Sequence, residues 1–133
     1  MSAGVRVSVA LATRDGARYL PEQLGSILAQ TRPVDELVVS DDGSSDGTVA
    51  LVERMLEGAD VDLVVRTNPE PLGVVGNFES ALRATTGDVI LLSDQDDVWH
   101  PERVERSLAV LERDPRLLAL HADARLVDAD GEP

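Results

Sequence analysis

Three times along this chain a short apolar run breaks off into a polar knot, and each time a helix-like pattern follows. Val5, Val7, Val9 and Leu11, alternating with Arg6, Ser8 and Ala10, end in Thr13-Arg14-Asp15-Gly16. Glu36 to Ser40, with Leu37-Val38-Val39 at its heart, ends in Asp41-Asp42-Gly43-Ser44-Ser45-Asp46-Gly47. Val89 to Leu92 end in Ser93-Asp94-Gln95-Asp96-Asp97. Period-two alternation marks a half-buried strand, and an unbroken apolar run such as Val89 to Leu92 marks one covered on both faces. Parallel strands separated by helices need right-handed crossovers, so the expected fold class is α/β, a Rossmann-like, mostly parallel sheet with helices on both faces. Ligands of such sheets bind outside the carboxyl ends of the strands, near the point where strand order reverses. All three knots fall on that edge, which scattered acidic turns would have no reason to share.

The segments between the knots carry helical spacing. Leu20, Leu24, Ile27 and Leu28 share a face, with Pro21 in the first turn and Pro33 beyond the end. Ser45 or Asp46 is placed to cap a second helix with Val49, Val52 and Leu56 on its buried side. A third strand, Leu63 to Arg66, leads through a Pro-rich loop to a third helix marked by Asn77, Phe78, Ala81, Leu82 and Thr85, with Gly87 expected as its left-handed cap. Pro101 is expected to start a fourth helix, with Val104, Leu108 and Leu111 inside and mixed charges, Arg103 among them, facing water. Leu117 to Leu120 reads as a fifth strand, and Asp128 to Pro133 as turn chemistry. Trp99 and Phe78 read as core residues, His100 as a helix-start residue, and His121 as the close of the fifth strand.

Three carboxylates within four residues repel one another, and partial burial worsens the repulsion, so Asp94, Asp96 and Asp97 call for a cation or for protons. Standing alone such a cluster would be a solvated acidic turn. Its place on the common sheet edge favours a functional reading, for which a divalent-metal site is the sharp candidate.

Composition removes several alternatives. Net charge is −13 and all 12 basic residues are Arg, so no clustered positive charge is available for a nucleic-acid backbone. Aromatics make up 2%, too few for base-stacking platforms. The chain has no Cys, hence neither disulfides nor Cys-ligated zinc, in keeping with a cytoplasmic location. Met1 to Gly4 lack a signal region, and no apolar run approaches the ~20 residues of a bilayer span.

The motifs, taken in order, resemble a known family. A first strand leading to Thr13-Arg14-Asp15-Gly16, then Ser40-Asp41-Asp42-Gly43-Ser44-Ser45-Asp46-Gly47-Thr48, Gly73 and Asn77 before Thr86-Gly87-Asp88, and Ser93-Asp94-Gln95-Asp96-Asp97-Val98-Trp99-His100-Pro101 together resemble a family-2 glycosyltransferase of GT-A fold, rhamnosyltransferase-like. The resemblance covers nearly all of residues 1–133 and implies that they form the nucleotide-sugar-binding portion of such an enzyme. In similar enzymes the general base lies in an acceptor half beyond the fourth strand and its helix, so that half is expected to be absent here, with Asp123 and Asp128 as surface turn residues.

The resemblance further implies that Ala12, Thr13 and Asp15 border the nucleotide and that Asp42 meets the nucleobase, while Asp41 either stands beside it or caps the following turn. Asp94 and Gln95 would lie on the donor, Asp96 would coordinate magnesium or manganese, and Asp97 would support it. The implied donor is a uridine or thymidine diphosphate sugar, and the implied acceptor is a saccharide or a lipid-linked saccharide of bacterial surface polysaccharide. The implied location is cytoplasmic, extending to the inner face of the membrane. Arg14 and Arg66, at strand ends, are candidates for the diphosphate. Two readings compete: a non-catalytic nucleotide-binding module, and a receiver-like signalling domain, which would rely on a Lys that this chain lacks.

Overall fold

A computed structural model describes residues 4–122, 124–128 and 130–132. Four strands, β1 (Val7–Thr13), β2 (Glu36–Asp41), β3 (Asp62–Thr67) and β4 (Val89–Asp94), form one parallel sheet in the order β3-β2-β1-β4. Helices α1 (Leu20–Leu28), α2 (Thr48–Leu56), α3 (Gly73–Ala84) and α4 (Arg103–Arg113) alternate with them. The chain lays β2 and β3 to one side of β1 and then returns to place β4 on the other. The switch point therefore lies between β1 and β4. β1, paired on both sides, is buried along its whole length.

The sheet's two faces are unequal. On one, Val7, Val9, Leu11, Leu37, Val39 and Leu91 pack with Leu20, Leu24 and Ile27 of α1, Val52 and Leu56 of α2, Val104 and Leu108 of α4, and Trp99. At about 1.5–3 kcal/mol for each fully buried large aliphatic side chain, this face supplies most of the burial energy. On the other, α3 sets Ala81 against Ala10 and Val38, whose small size brings helix and sheet close together.

That inequality corrects the reading of β4 as buried on both faces. Leu91 and Ser93 point into the large core, but Ile90 and Leu92, in register with Ser8 and Ala10, lie on the α3 face and are 40% and 51% exposed. β4 is an edge strand, and α3 packs over β1 and β2 instead. The fifth strand expected over Leu117 to Leu120 is not formed; Leu118 is 99% exposed and the segment is irregular. A strand must exchange backbone hydrogen bonds with a neighbour, and among the described residues none lies beside it.

Local signals shifted by a few residues elsewhere. Gly87 does not cap α3, which ends at Ala84 with an extended Thr85. A Cβ on Gly87 would lie 2.8 Å from the Ser8 nitrogen and 2.9 Å from the Arg6 carbonyl oxygen, so the glycine is there for the close approach of β4's entry to β1. The residue capping α2 is Gly47, at φ +83°, and Asp46 Oδ1 accepts from the Thr48 N–H at 3.1 Å. α4 begins at Arg103 rather than Pro101, and the Arg103 guanidinium stacks 4.5 Å over the Trp99 ring instead of facing water.

The amino ends of the strands are tied by Glu36. It is 3% exposed and accepts from Ser8 Oγ at 2.7 Å, from Thr86 N at 2.8 Å and Oγ1 at 3.0 Å, and from Arg6 at 3.4 Å. Arg6 also pairs with Asp62 at 3.0 Å. Burial alone would raise the Glu36 carboxyl, but these donors outweigh it and hold it below the ordinary glutamate range.

Candidate functional site

The register explains why the knots meet. Ala12 stands between Ser40 of β2 and Asp94 of β4, and Thr13 stands beside Asp41, so the strands release their chains into loops at one level on either side of the switch point.

Asp41, 2% exposed, is committed to the scaffold. Its Oδ1 accepts from Thr13 Oγ1 and Ser44 Oγ, both at 2.6 Å, and its Oδ2 from the Ser44 N–H at 2.9 Å. Of the two roles open to it, capping the turn is the one the geometry displays. Asp42, also buried, reaches across to the start of α3. Leu72 is right-handed and Gly73 left-handed, at φ +82°, a sequence of conformations that aims two successive N–H groups at one point. Asp42 fills that concavity, accepting from Leu72 N at 2.8 Å, Gly73 N at 3.0 Å and Asn68 Nδ2 at 3.0 Å. Burial raises its pKa, but these three donors, with Arg14 nearby, bring it below the ordinary aspartate range. Three of a carboxylate's roughly four acceptor positions are thereby filled.

The loop after β1 is held from the same side. Asp15 adopts φ +48°, left-handed, which Asp tolerates better than most residues. Its N–H donates to Ser44 Oγ and its Oδ1 accepts from Ser45 N, both at 2.8 Å. Gly16 N donates to Thr48 Oγ1 and Ala17 N to Asp46 Oδ2, each at 3.0 Å. Two buried amides in this frame carry no role in the sequence reading: Asn77, read there as a mark of the third helix and of the family pattern, and Gln23. Asn77 donates to the Thr13 carbonyl at 3.2 Å and accepts from Asn68, which links α3 to β1. Gln23, fully buried on α1, donates to Ser93 Oγ directly before the acidic turn. A polar residue inside an otherwise apolar helical stripe was the available signal for Gln23.

At the end of β4 one carboxylate oxygen from each of Asp94, Asp96 and Asp97 lies within 4.8 Å of the others, and all three residues are exposed. Partial burial, then Asp96 and Asp94, push the Asp97 carboxyl above the ordinary aspartate range, opposed by Arg103. Three convergent oxygen donors whose mutual repulsion Arg103 only partly offsets suit a hard divalent cation, for which one or two carboxylates plus phosphate oxygens suffice. Gln95 turns away from this group. Its side chain lies against the backbone of Arg14. Arg66 is exposed on β3, and Arg14 sits 3.9 Å from Asp15. His100 Nδ1 accepts from the Glu102 N–H at 3.1 Å, a local turn contact at the entry to α4. His121 is exposed outside any strand, Asp128 is taken up in a terminal turn, and Asp123 falls outside the described residues.

A parallel sheet of this order with polar loops on its carboxyl edge defines a Rossmann-like α/β domain, and its structural neighbours are GT-A glycosyltransferases. The S. aureus TarS structure with UDP-GlcNAc superposes with a TM-score of 0.73 at 27% identity, over 81% of this chain and 31% of that one. The mannosyltransferase PcManGT of Pyrobaculum calidifontis, in complex with GDP-Man and Mn2+, gives 0.69 at 33% identity, over 80% and 31%. The sequence profile of glycosyl transferase family 2 matches residues 8–128, and the chain belongs to that family. Among curated relatives, an uncharacterized glycosyltransferase of Nostoc sp. is 32% identical over 88% of this chain and 36% of its own length. The Escherichia coli WfgD, named a UDP-Glc:alpha-D-GlcNAc-diphosphoundecaprenol beta-1,3-glucosyltransferase, is 30% identical over 79% and 40%. The chain thus spans about a third of the length of the relatives it matches. Family membership removes the receiver-like reading. Among the described residues no helix is long and apolar enough to cross a membrane.

Proposed function

We propose that these residues form the nucleotide-sugar-binding portion of a metal-dependent, inverting glycosyltransferase. It would move a sugar from a UDP or dTDP donor to a saccharide or lipid-linked acceptor in bacterial surface polysaccharide synthesis. The observation that carries the reading is the convergence of Asp94, Asp96 and Asp97 at the end of β4, one strand from Thr13 at the switch point. Relatives and structural neighbours named for UDP-linked sugars support the donor class.

In this reading Asp96, with Asp94 and Asp97 beside it, would hold magnesium or manganese. When bound, that ion supplies positive charge where negative charge grows on the departing diphosphate. The chain's own residues bind and orient the donor. Ala12, Thr13 and Asp15 border the nucleotide, and Asp42 offers its remaining acceptor position to the imide N–H of a uracil or thymine ring. The general base that takes the acceptor's proton is assigned to residues outside this set.

Thermal unfolding of the chain with UDP, dTDP or GDP, each with manganese or with EDTA, tests the donor class. UDP or dTDP with manganese is expected to raise Tm by several degrees at about 100 times the dissociation constant, a stabilisation of about 2.7 kcal/mol. Stabilisation by GDP alone, or by none of the three, would overturn the assignment.

A further inference from the structure

Gln95 sits between two acidic residues of the turn after β4, yet its side chain is spent on the backbone of a residue 81 positions earlier in the sequence. Its Oε1 accepts from the Arg14 N–H at 2.8 Å and its Nε2 donates to the Arg14 carbonyl at 3.0 Å. A primary amide is the side-chain group that can meet both halves of one residue's backbone at once, much as a neighbouring strand would. The amide also fills the space over Gly16: a Cβ there would come within 2.6 Å of the Gln95 Cδ and would overlap its Oε1. Gly16 has no left-handed φ to account for it, so this contact is the reason for a glycine.

The loop that carries Thr13 and Asp15 is therefore gripped from two sides. Ser44, Ser45, Asp46 and Thr48 hold it from the β2 loop, and Gln95 holds it from the acidic turn. Any shift of the acidic turn relative to the nucleotide loop must break a pair of hydrogen bonds. We infer that Gln95 is a positioning residue whose amide, clamped on Arg14 over Gly16, couples the metal-binding turn to the nucleotide-binding loop, so that each ligand tightens the other. The inference rests on the proposed function, and it assigns Gln95 to the protein frame instead of to the donor.

The test is a pair of UDP titrations by calorimetry, in manganese and in EDTA, on the wild-type chain and on Gln95→Met, Gly16→Ala, Gln95→Ala and the Gln95→Ala/Gly16→Ala double variant. The coupling is the ratio of the two dissociation constants, and linkage makes it the same ratio by which UDP tightens manganese. Gln95→Met keeps the side chain's size and removes both hydrogen bonds. It is expected to bind each ligand while the coupling falls at least fivefold. Gly16→Ala is expected to reproduce that loss by displacing the amide, and to add little once Gln95 is already Ala, because the obstructing atoms are gone. An unchanged coupling in Gln95→Met, even with a lowered Tm, would overturn the inference and leave the proposed function standing. A wild-type chain whose UDP affinity ignores manganese would overturn both.

Discussion

Replacing Glu36 with Ala is expected to lower stability by about 3 kcal/mol, enough to bring Tm down by roughly 10 °C in a domain of this size. The loss comes from the donors left behind. Ser8 Oγ, buried, and the Thr86 N–H, part-buried, both point at Glu36, and a buried donor such as the Ser8 hydroxyl without an acceptor loses its hydration with no return. Arg6 keeps Asp62 and Thr86 Oγ1, so the ion pair is the smaller part of the effect. Against a total stability of about 5–15 kcal/mol, one substitution far from the candidate site removes a large share. Glu36→Gln, which keeps the shape and part of the hydrogen bonding, is expected to lose about half as much. Denaturant unfolding monitored by circular dichroism measures both.

The same carboxylate sets a pH dependence whose sign follows from its shift. Glu36, Asp35 and Asp42 all titrate below their ordinary ranges in the folded chain. Their stabilising contribution is complete above the unfolded values, about pH 4, and is lost as pH falls through the lower folded values. Unfolding midpoints are expected to fall steeply with acidification below about pH 4, and less steeply in Glu36→Gln.

Gly87→Ala is expected to destabilise by about 2–3 kcal/mol, although alanine suits most backbone conformations better than glycine does. Its Cβ would collide with backbone atoms of Arg6 and Ser8, which cannot swing aside as a side chain can. Asp88 N and Val89 N both donate to the Arg6 carbonyl, so moving β4 outward breaks the first links between β4 and β1. Gly87 N also donates to Ser8 Oγ, the hydroxyl that serves Glu36, so the two substitutions should combine with less than additive effect. Equal stability of Gly87→Ala and the wild type would show that the entry to β4 is looser than this packing allows.

Much of the frame was legible because hydrophobic period and turn chemistry are local. β1, β2, α1 and α2 follow from spacing, and the common edge of Thr13, Asp41 and Asp94 follows from strand direction. What escaped was tertiary. Val89 to Leu92 looks like a strand covered on both sides, yet α3 lies over β1 and β2, and no local pattern says which strands a helix will cover. Leu117 to Leu120 has strand composition without a strand beside it. Gly87 carries the signal of a helix cap, but its reason lies 79 residues away at Ser8. Asp42 is legible as a carboxylate on the right edge, while its engagement with Leu72 and Gly73 depends on a left-handed glycine 31 positions on. Gln95 occupies the unspecified place in an Asp-x-Asp pattern, and nothing near it in sequence marks Arg14 as its partner.

The most direct test of the central claim is calorimetric titration of UDP into the wild-type chain and into Asp96→Ala, each in manganese and in EDTA. Manganese is expected to tighten wild-type binding at least tenfold, and Asp96→Ala is expected to show the same weak affinity in both buffers. Wild-type binding that ignores the metal, or full manganese-dependent binding in Asp96→Ala, would contradict the claim.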